Sequence, residues 1–184
     1  MTQRLKLEPS PISQTHVDKV FSPVCECATS AAHIDFSIRR ADHLRIWVRT
    51  PSVPQLVADR DFPKGMVHVQ WAGKGVPDGT YFAVVKMSRA QRTIDLPNPI
   101  RIDTTPPTIT LVSMHSTEGK TRFFYRSSEQ AHALLFVNGR RAVRTYSTNR
   151  RGKFDWQHVP KRQRLVLVAE DVAGNRSAPV RISY

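Results

Sequence analysis

The spacing of turn-forming residues constrains the fold of this chain more than any other feature of its sequence. Short apolar runs are interrupted by proline, glycine, asparagine or aspartate at roughly every 8 to 12 residues, a spacing typical of short strands joined by turns. The 184 residues include 13 prolines. No window shows the 3.6-residue apolar period with caps that indicates a helix. The sequence therefore predicts an all-β protein.

Two runs near the N-terminus show the strand pattern most clearly. In HIDFSI and LRIWV every second residue is apolar, which selects Ile34, Phe36 and Ile38 in the first run and Leu44, Ile46 and Val48 in the second. Successive side chains of a strand point to opposite faces, so this alternation predicts sheets with one buried side. Later in the chain, Asn138-Gly139 between apolar runs predicts a type I′ hairpin.

The stretch DTTPP, residues 103–107, marks a domain boundary. Two adjacent prolines cannot sit inside a central strand, and they favour an extended, stiff conformation. About six or seven short strands are predicted on each side of it, which fits an immunoglobulin-like β-sandwich. We therefore predict two such sandwiches in tandem, joined by a short Pro-containing linker. The N-terminal extension covers residues 1–15, the first domain residues 16–103 and the second domain residues 104–184.

Several motifs carry a family resemblance. WAGKGVPDGTY, residues 71–81, resembles a hairpin of the bacterial Ig-like (FlgD-type) module of flagellar hook-assembly and secreted bacterial proteins. AEDVAGNRS, residues 169–177, is similar to the penultimate turn of a second bacterial Ig-like repeat, and DTTPP is similar to the joint between such repeats. The expected roles are a positive φ at Gly79, sandwich-edge packing by Trp71 and Tyr81, and a tight turn at Gly174-Asn175.

The only two cysteines, Cys25 and Cys27, lie in FSPVCECAT, where the resembled family has FSPNGDG. A disulfide across one residue is geometrically feasible in a bent loop, and it would imply an oxidising, extracytoplasmic setting. Zinc needs further ligands, and a redox pair is typically C-x-x-C at a helix start, so both alternatives are weaker but stay open. Only Glu26 offers a carboxylate in this loop, so no calcium site is expected.

The positive charge is concentrated in the C-terminal half. The net charge is +13, and residues from Thr104 onward carry 14 of the 28 Lys and Arg residues but only 5 of the 15 acids. We assign the segments NGRR, TNRRGK and PKRQR to hairpin loops, and a cluster there would attract polyanions. The alternative is a solvated basic surface. The candidate polyanion-binding residues are Arg140, Arg141, Arg144, Arg150, Arg151, Lys153, Lys161, Arg162 and Arg164.

No motif for catalysis, a metal or a cofactor is recognised. There is no G-x-S-x-G or P-loop motif, and Asp59 and Asp61 fall on a predicted loop, where acids are solvated. The sequence favours a non-catalytic, extracytoplasmic stalk, spacer or interaction module of the bacterial cell envelope. The alternative is a module that binds a phosphate-bearing wall polymer, an anionic membrane or nucleic acid. Motifs of nucleic-acid binding are not found, so a cell-envelope polymer or protein is the preferred partner.

Localisation is predicted mainly from the cysteines and from the resemblance. No apolar stretch approaches the roughly 18 residues that a membrane span needs. The first residues, MTQRLKLEPSPI, lack the apolar core of a signal peptide. The resemblance implies that an export signal or membrane anchor precedes this chain in the native protein.

Overall fold

The structure is a computed structural model that describes residues 10–117, 119–157 and 163–183. It divides into two compact units. The first contains the chain up to Pro23 together with Ala31–Ile102, and the second contains Val24–Ser30 together with the chain from Asp103 onward. The cysteine segment Val24–Ser30, which the sequence assigned to the first domain, therefore packs within the second unit. In the described parts of the chain all regular structure is β-strand.

The first unit is a β-sandwich of two sheets whose strands are mostly antiparallel. One sheet has the strand order β1-β3-β6, and the other has the order β2-β9-β7-β4-β5 with β8 added beside β7. β2 and β9 pair in parallel, and the other pairs are antiparallel. The strands are β1 (Ile12–Val17), β2 (Val20–Phe21), β3 (Ala32–Ile38), β4 (Asp42–Arg49), β5 (Gln55–Phe62), β6 (Gly65–Trp71), β7 (Gly79–Met87), β8 (Arg92–Asp95) and β9 (Ile100–Ile102).

The alternating runs of the sequence form the core of this unit. The three apolar side chains of β3 and the three of β4 that the pattern selected are at most 1% exposed. Trp71 lies between Phe21 and Tyr81, with edge-to-face ring centroids at 5.4 and 5.7 Å. Trp71 ends β6, an edge strand of its sheet, and both Trp71 and Tyr81 belong to the buried core cluster. This edge-to-face arrangement stabilises the core beyond the burial of apolar area, since rings in this geometry attract each other.

Gly79 does not have the positive φ that the motif suggested. It begins β7, and a Cβ on it would lie 2.9 Å from the hydroxyl oxygen of Tyr81. The hydroxyl of Tyr81 donates a hydrogen bond of 2.6 Å to the carbonyl of Pro77. Glycine is needed here because the tyrosine side chain crosses its backbone, and a turn conformation plays no part.

The second unit is organised around β11 (Lys120–Val137), an 18-residue strand. Its first half pairs with β10 (Ile109–Thr117) and β13 (Asn149–Gln157), and its second half pairs with β12 (Arg140–Arg144) and β14 (Leu165–Asp171). β15 (Val180–Ile182) pairs with β14. Side chains from both halves of β11 belong to one core cluster.

The hairpin between β11 and β12 was predicted correctly. Asn138 and Gly139 have φ values of 51° and 83°, and a type I′ turn needs positive φ at both central residues. The centre of β11 is polar, with the sequence SSEQ at residues 127–130, which is more typical of a turn than of a strand. In the structure the backbone stays extended there, with Ser127 paired to Ile109 of β10.

Candidate functional surfaces

The loop that holds the two cysteines closes on itself. The sulfur atoms of Cys25 and Cys27 lie at disulfide-bonding distance, and their Cα atoms are 5.2 Å apart, within the usual range for a disulfide. Glu26 between them has a φ of 47°, in the left-handed region. The loop thereby forms a small closed ring of backbone and sulfur.

This loop packs against the turn that follows β14. The hydroxyl of Thr29 donates a 2.8 Å hydrogen bond to the carbonyl oxygen of Ala173, 144 residues away in sequence. Thr29 Oγ1 also lies 3.0 Å from the sulfur of Cys27. Gly174 has a φ of 93°, and a Cβ built on it would lie 2.6 Å from Thr29 Oγ1 and 3.3 Å from the sulfur of Cys25, with Cys27 nearer still. The position of the cysteine loop therefore requires a residue without a side chain at Gly174.

Asn175 stabilises the same turn from inside. Its side-chain amide donates to the carbonyl oxygen of Asp103 at 2.7 Å and to the carboxylate of Asp171 at 2.9 Å. Its backbone N–H donates to the other oxygen of Asp171 at 2.9 Å. All three residues are buried. The tight turn expected at Gly174-Asn175 is present, and it also secures the first residue of DTTPP to the second unit.

The predicted polyanion-binding residues lie mainly on strands, which corrects their assignment to hairpin loops. Lys161 and Arg162 fall outside the described residues, and Arg164 precedes β14, where its N–H donates to the side chain of Asn138 at 3.1 Å. The segment TNRRGK continues as a strand because it pairs with β11. Arg140, Arg141 and Arg144 belong to β12, and Arg150, Arg151 and Lys153 belong to β13.

Strand pairing brings only some of these cations together. Arg151 lies directly opposite Arg126 of β11, and Lys153 lies directly opposite Phe124. With Val112, which is 62% exposed, they line a depression of about 350 Å³. Arg144 contacts the carboxylate of Glu170 at 3.4 Å instead. We call the surface of Arg126, Arg151, Lys153, Phe124 and Val112 the β11–β13 basic face.

The acid nearest to this face is already engaged by other cations. Asp155 accepts hydrogen bonds from Arg122 at 2.7 and 3.1 Å and contacts Lys120 at 2.6 Å. The hydrogen bonds from Arg122, followed by that from Lys120, hold the pKa of Asp155 far below its usual range. Among the described residues, Arg126, Arg151 and Lys153 form no ion pair. Like charges that face each other across a strand pair are unfavourable unless an anion joins them.

Sequence reasoning missed Arg126. The run TRFFYRS contains the signal, because Arg122, Phe124 and Arg126 alternate and must share one face of a strand. Which cations lie opposite them depends on the register between β11 and β13, and the order of residues within either strand does not contain this information.

Asp59 and Asp61 lie on β5, not on a loop. They face His43 of β4, whose ring nitrogens lie 2.9 Å from Asp59 and 3.3 Å from Asp61. The hydrogen bond to Asp59 is the main cause of a raised pKa at His43. The group is solvent-exposed and lies on an open sheet.

Within residues 10–117, 119–157 and 163–183, no group of three or more His, Cys, Asp or Glu side chains is arranged to hold a metal ion. The same ranges contain no helix with the length and apolar character of a membrane span.

No protein-family model matches the sequence, and no curated protein matches it. Among solved structures, the fibronectin(III)-like modules of Clostridium thermocellum CbhA are similar, with 15% identity over 91% of this chain and 90% of theirs and a TM-score of 0.48. A bacterial ice-binding adhesin is similar at 14% identity over 97% of this chain and 65% of its own, with a TM-score of 0.40. The BSP domain of a biofilm-associated protein is similar at 10% identity over 94% of this chain and 30% of its own, with a TM-score of 0.35.

Proposed function

We propose that the chain is a non-catalytic, extracytoplasmic interaction or spacer module of the bacterial cell envelope. The observation that carries this proposal is the cysteine loop, in which Cys25 and Cys27 lie at bonding distance and the loop is held against Gly174. Disulfides persist in oxidising compartments and are rare in the cytosol. The motifs that resemble the FlgD-type module and a second bacterial Ig-like repeat support the same assignment.

The interiors of the two units support a role that does not depend on catalysis. Each unit has a core filled by apolar side chains, such as Phe36 and Phe123, which are fully buried. A β-sandwich of this kind presents its chemistry on strand faces and end loops, and fold alone does not assign a reaction. We therefore expect the function to lie in surfaces that contact a partner.

The disulfide gives the first prediction. Protein isolated from an oxidising compartment without reductant is expected to be about 2 Da lighter than the dithiol and to resist alkylation, since both sulfurs are bonded. Intact-mass spectrometry before and after iodoacetamide treatment in denaturant measures this. The same protein, reduced first, is the control and should gain two alkyl groups. Two alkylated thiols in the unreduced sample would remove the main support for an extracytoplasmic location.

A second candidate function is binding of a polyanion by the second unit. The observation that favours it is the β11–β13 basic face, where Arg126 and Arg151 lie opposite each other with no ion pair among the described residues. Guanidinium groups bind phosphate with two parallel hydrogen bonds, which makes such a pair suited to a phosphate-bearing polymer. The remaining predicted cations on β12 and β13 would add long-range attraction.

The second prediction tests this face. Long-chain inorganic polyphosphate is expected to bind the wild type with an affinity that falls as salt rises, because binding releases counterions. The variant Arg126→Gln/Arg151→Gln should bind at least about tenfold more weakly, a loss of about 1.4 kcal/mol. Fluorescence anisotropy at several salt concentrations measures both effects. Lys64→Gln/Lys86→Gln removes the same charge from the first unit and should change binding little. Equal losses in the two variants would indicate only a net-charge effect.

A further inference from the structure

A depression on the first unit lies between two turns of the same unit. One turn, residues 39–41, connects β3 to β4, and the other, residues 88–91, connects β7 to β8. The depression measures about 660 Å³, a size within the range of small-ligand sites. Its apolar lining includes Met87, which is 3% exposed, and Pro11.

Four arginines line this depression: Arg39, Arg40, Arg89 and Arg92. The two turns place them on both sides of the depression: Arg39 and Arg40 follow β3 directly, Arg89 lies in the opposite turn, and Arg92 begins β8. The guanidinium of Arg89 donates to the carbonyl oxygen of Ala41 at 3.3 Å, which brings its charge to the β3–β4 turn.

The one acid among the described lining residues is engaged by backbone N–H groups. Asp42 is 4% exposed, and its two carboxylate oxygens accept the backbone N–H groups of Arg89 at 2.7 Å and Ala90 at 3.1 Å. Its role is to fix the β7–β8 turn against β4. Within the described lining, Arg39, Arg40 and Arg89 alone outnumber Asp42 by two charges, and the turn that presents Arg89 is held in place.

We propose that this depression binds a phosphorylated small molecule or headgroup, with the phosphate at the arginines and the organic part against Met87 and Pro11. A phosphate monoester carries about −1.5 to −2 charges at pH 7, whereas a carboxylate carries one, so phosphate matches the charge excess better. Arginine also forms paired hydrogen bonds with phosphate oxygens. The depression exceeds what a bare phosphate fills, which indicates an attached organic group. This inference is independent of the cysteine loop and of the β11–β13 basic face.

The test uses the full chain and two phosphate sources. Isothermal titration calorimetry with glucose 1,6-bisphosphate probes a soluble ligand, and co-sedimentation with phosphatidylcholine vesicles containing phosphatidic acid probes a lipid headgroup. With either source, Arg39→Gln/Arg40→Gln is expected to weaken binding at least about tenfold. Lys64→Gln/Lys74→Gln removes equal charge from exposed positions of the first unit outside the depression and should leave binding within about twofold of the wild type.

Each outcome decides the inference. Binding of the bisphosphate that is lost only in the Arg39/Arg40 variant supports a soluble phosphorylated ligand, and the same pattern with vesicles alone supports a lipid headgroup. Absence of binding to both probes, or equal loss in both variants, overturns the inference. The substituted side chains are exposed, and an unchanged circular dichroism spectrum and urea midpoint would show that the variant folds. Titration-induced shifts of the Ala41 and Ala90 amides in NMR spectra would place the ligand in the depression.

Discussion

Replacement of Gly174 by alanine is expected to lower the free energy of unfolding of the second unit by about 2–4 kcal/mol. A non-glycine residue at positive φ costs roughly 1–2 kcal/mol, and overpacking typically adds about 1–3 kcal/mol. Both apply here, since φ is 93° and the added Cβ would lie 2.6 Å from Thr29 Oγ1 and against the sulfur of Cys27. Urea denaturation of the wild type and the variant measures the difference.

Gly139→Ala is the matched control for this prediction. Gly139 belongs to the same unit and has a φ of 83°, but a Cβ there would meet nothing within 4 Å. Its substitution therefore reports the conformational cost alone, roughly 1 kcal/mol. The excess loss in Gly174→Ala isolates the contact with the cysteine loop.

A double-mutant cycle identifies which atoms are responsible. Cys25→Ala/Cys27→Ala removes both sulfurs, so Gly174→Ala in that background is expected to cost less than in the wild type. The interaction energy should be at least about 0.5 kcal/mol, because residues in direct contact do not behave additively. Equal losses for Gly174→Ala and Gly139→Ala in the wild-type background would show that the loop does not pack at Gly174.

The strand pattern of the first unit was predictable where apolar residues alternate without interruption. In HIDFSI and LRIWV the period of two selects the buried face correctly. β5 was missed because its sequence, QLVADRDF, contains three charged residues and only one fully buried side chain, Phe62. Such a strand forms because β4 supplies hydrogen-bond partners along most of its length, and local residue preferences do not reveal those partners.

The cysteine loop shows a different limit of prediction from sequence, which concerns contacts between residues far apart in the chain. Cys25 and Cys27 are separated by one residue, so a bond between them could be considered from the sequence alone. The association of Thr29 with Ala173 spans 144 residues, and nothing near either residue marks the other as its partner. From the sequence, the cysteine loop is assigned to the first domain, because its neighbours along the chain belong to that domain and nothing else in the sequence indicates the domain with which it packs.

For the basic residues, composition was predictable from the sequence, whereas the strand register that brings individual side chains together was not. Their concentration in the second half was evident from the sequence, but the turn-like segment TNRRGK was assigned to a loop. Its pairing with β11 makes it a strand and places Arg151 opposite Arg126. In the first unit, Arg39-Arg40 drew no attention because two arginines at a turn are ordinary. Their significance depends on the β7–β8 turn, which the fold brings beside them.

Asn175→Ala is expected to destabilise the second unit by about 2–4 kcal/mol. The side-chain amide of Asn175, which is 4% exposed, donates to the carbonyl oxygen of Asp103 and to the carboxylate of Asp171. Alanine removes both donors and leaves buried acceptors, each of which costs about 1–3 kcal/mol when a hydrogen bond is lost. Urea denaturation measures the loss. Asn149→Ala, at an exposed asparagine whose amide donates to Ser147 at 3.0 Å, is the control and should change stability by about 0.5 kcal/mol or less.

Asn175→Asp separates loss of hydrogen bonds from loss of volume. This substitution keeps the shape but places a second carboxylate where a donor now lies 2.9 Å from Asp171. Two adjacent carboxylates share a proton readily, so the folded variant should bind a proton at a higher pH than the unfolded chain does. Stability relative to the wild type should therefore recover as pH falls from 7 to 4, because the unfolded state binds fewer protons over this range. Asn175→Ala introduces no second carboxylate, so its deficit should change less between pH 7 and pH 4. A recovery of equal size in both variants would mean that the carboxylate added by Asn175→Asp does not share a proton with Asp171.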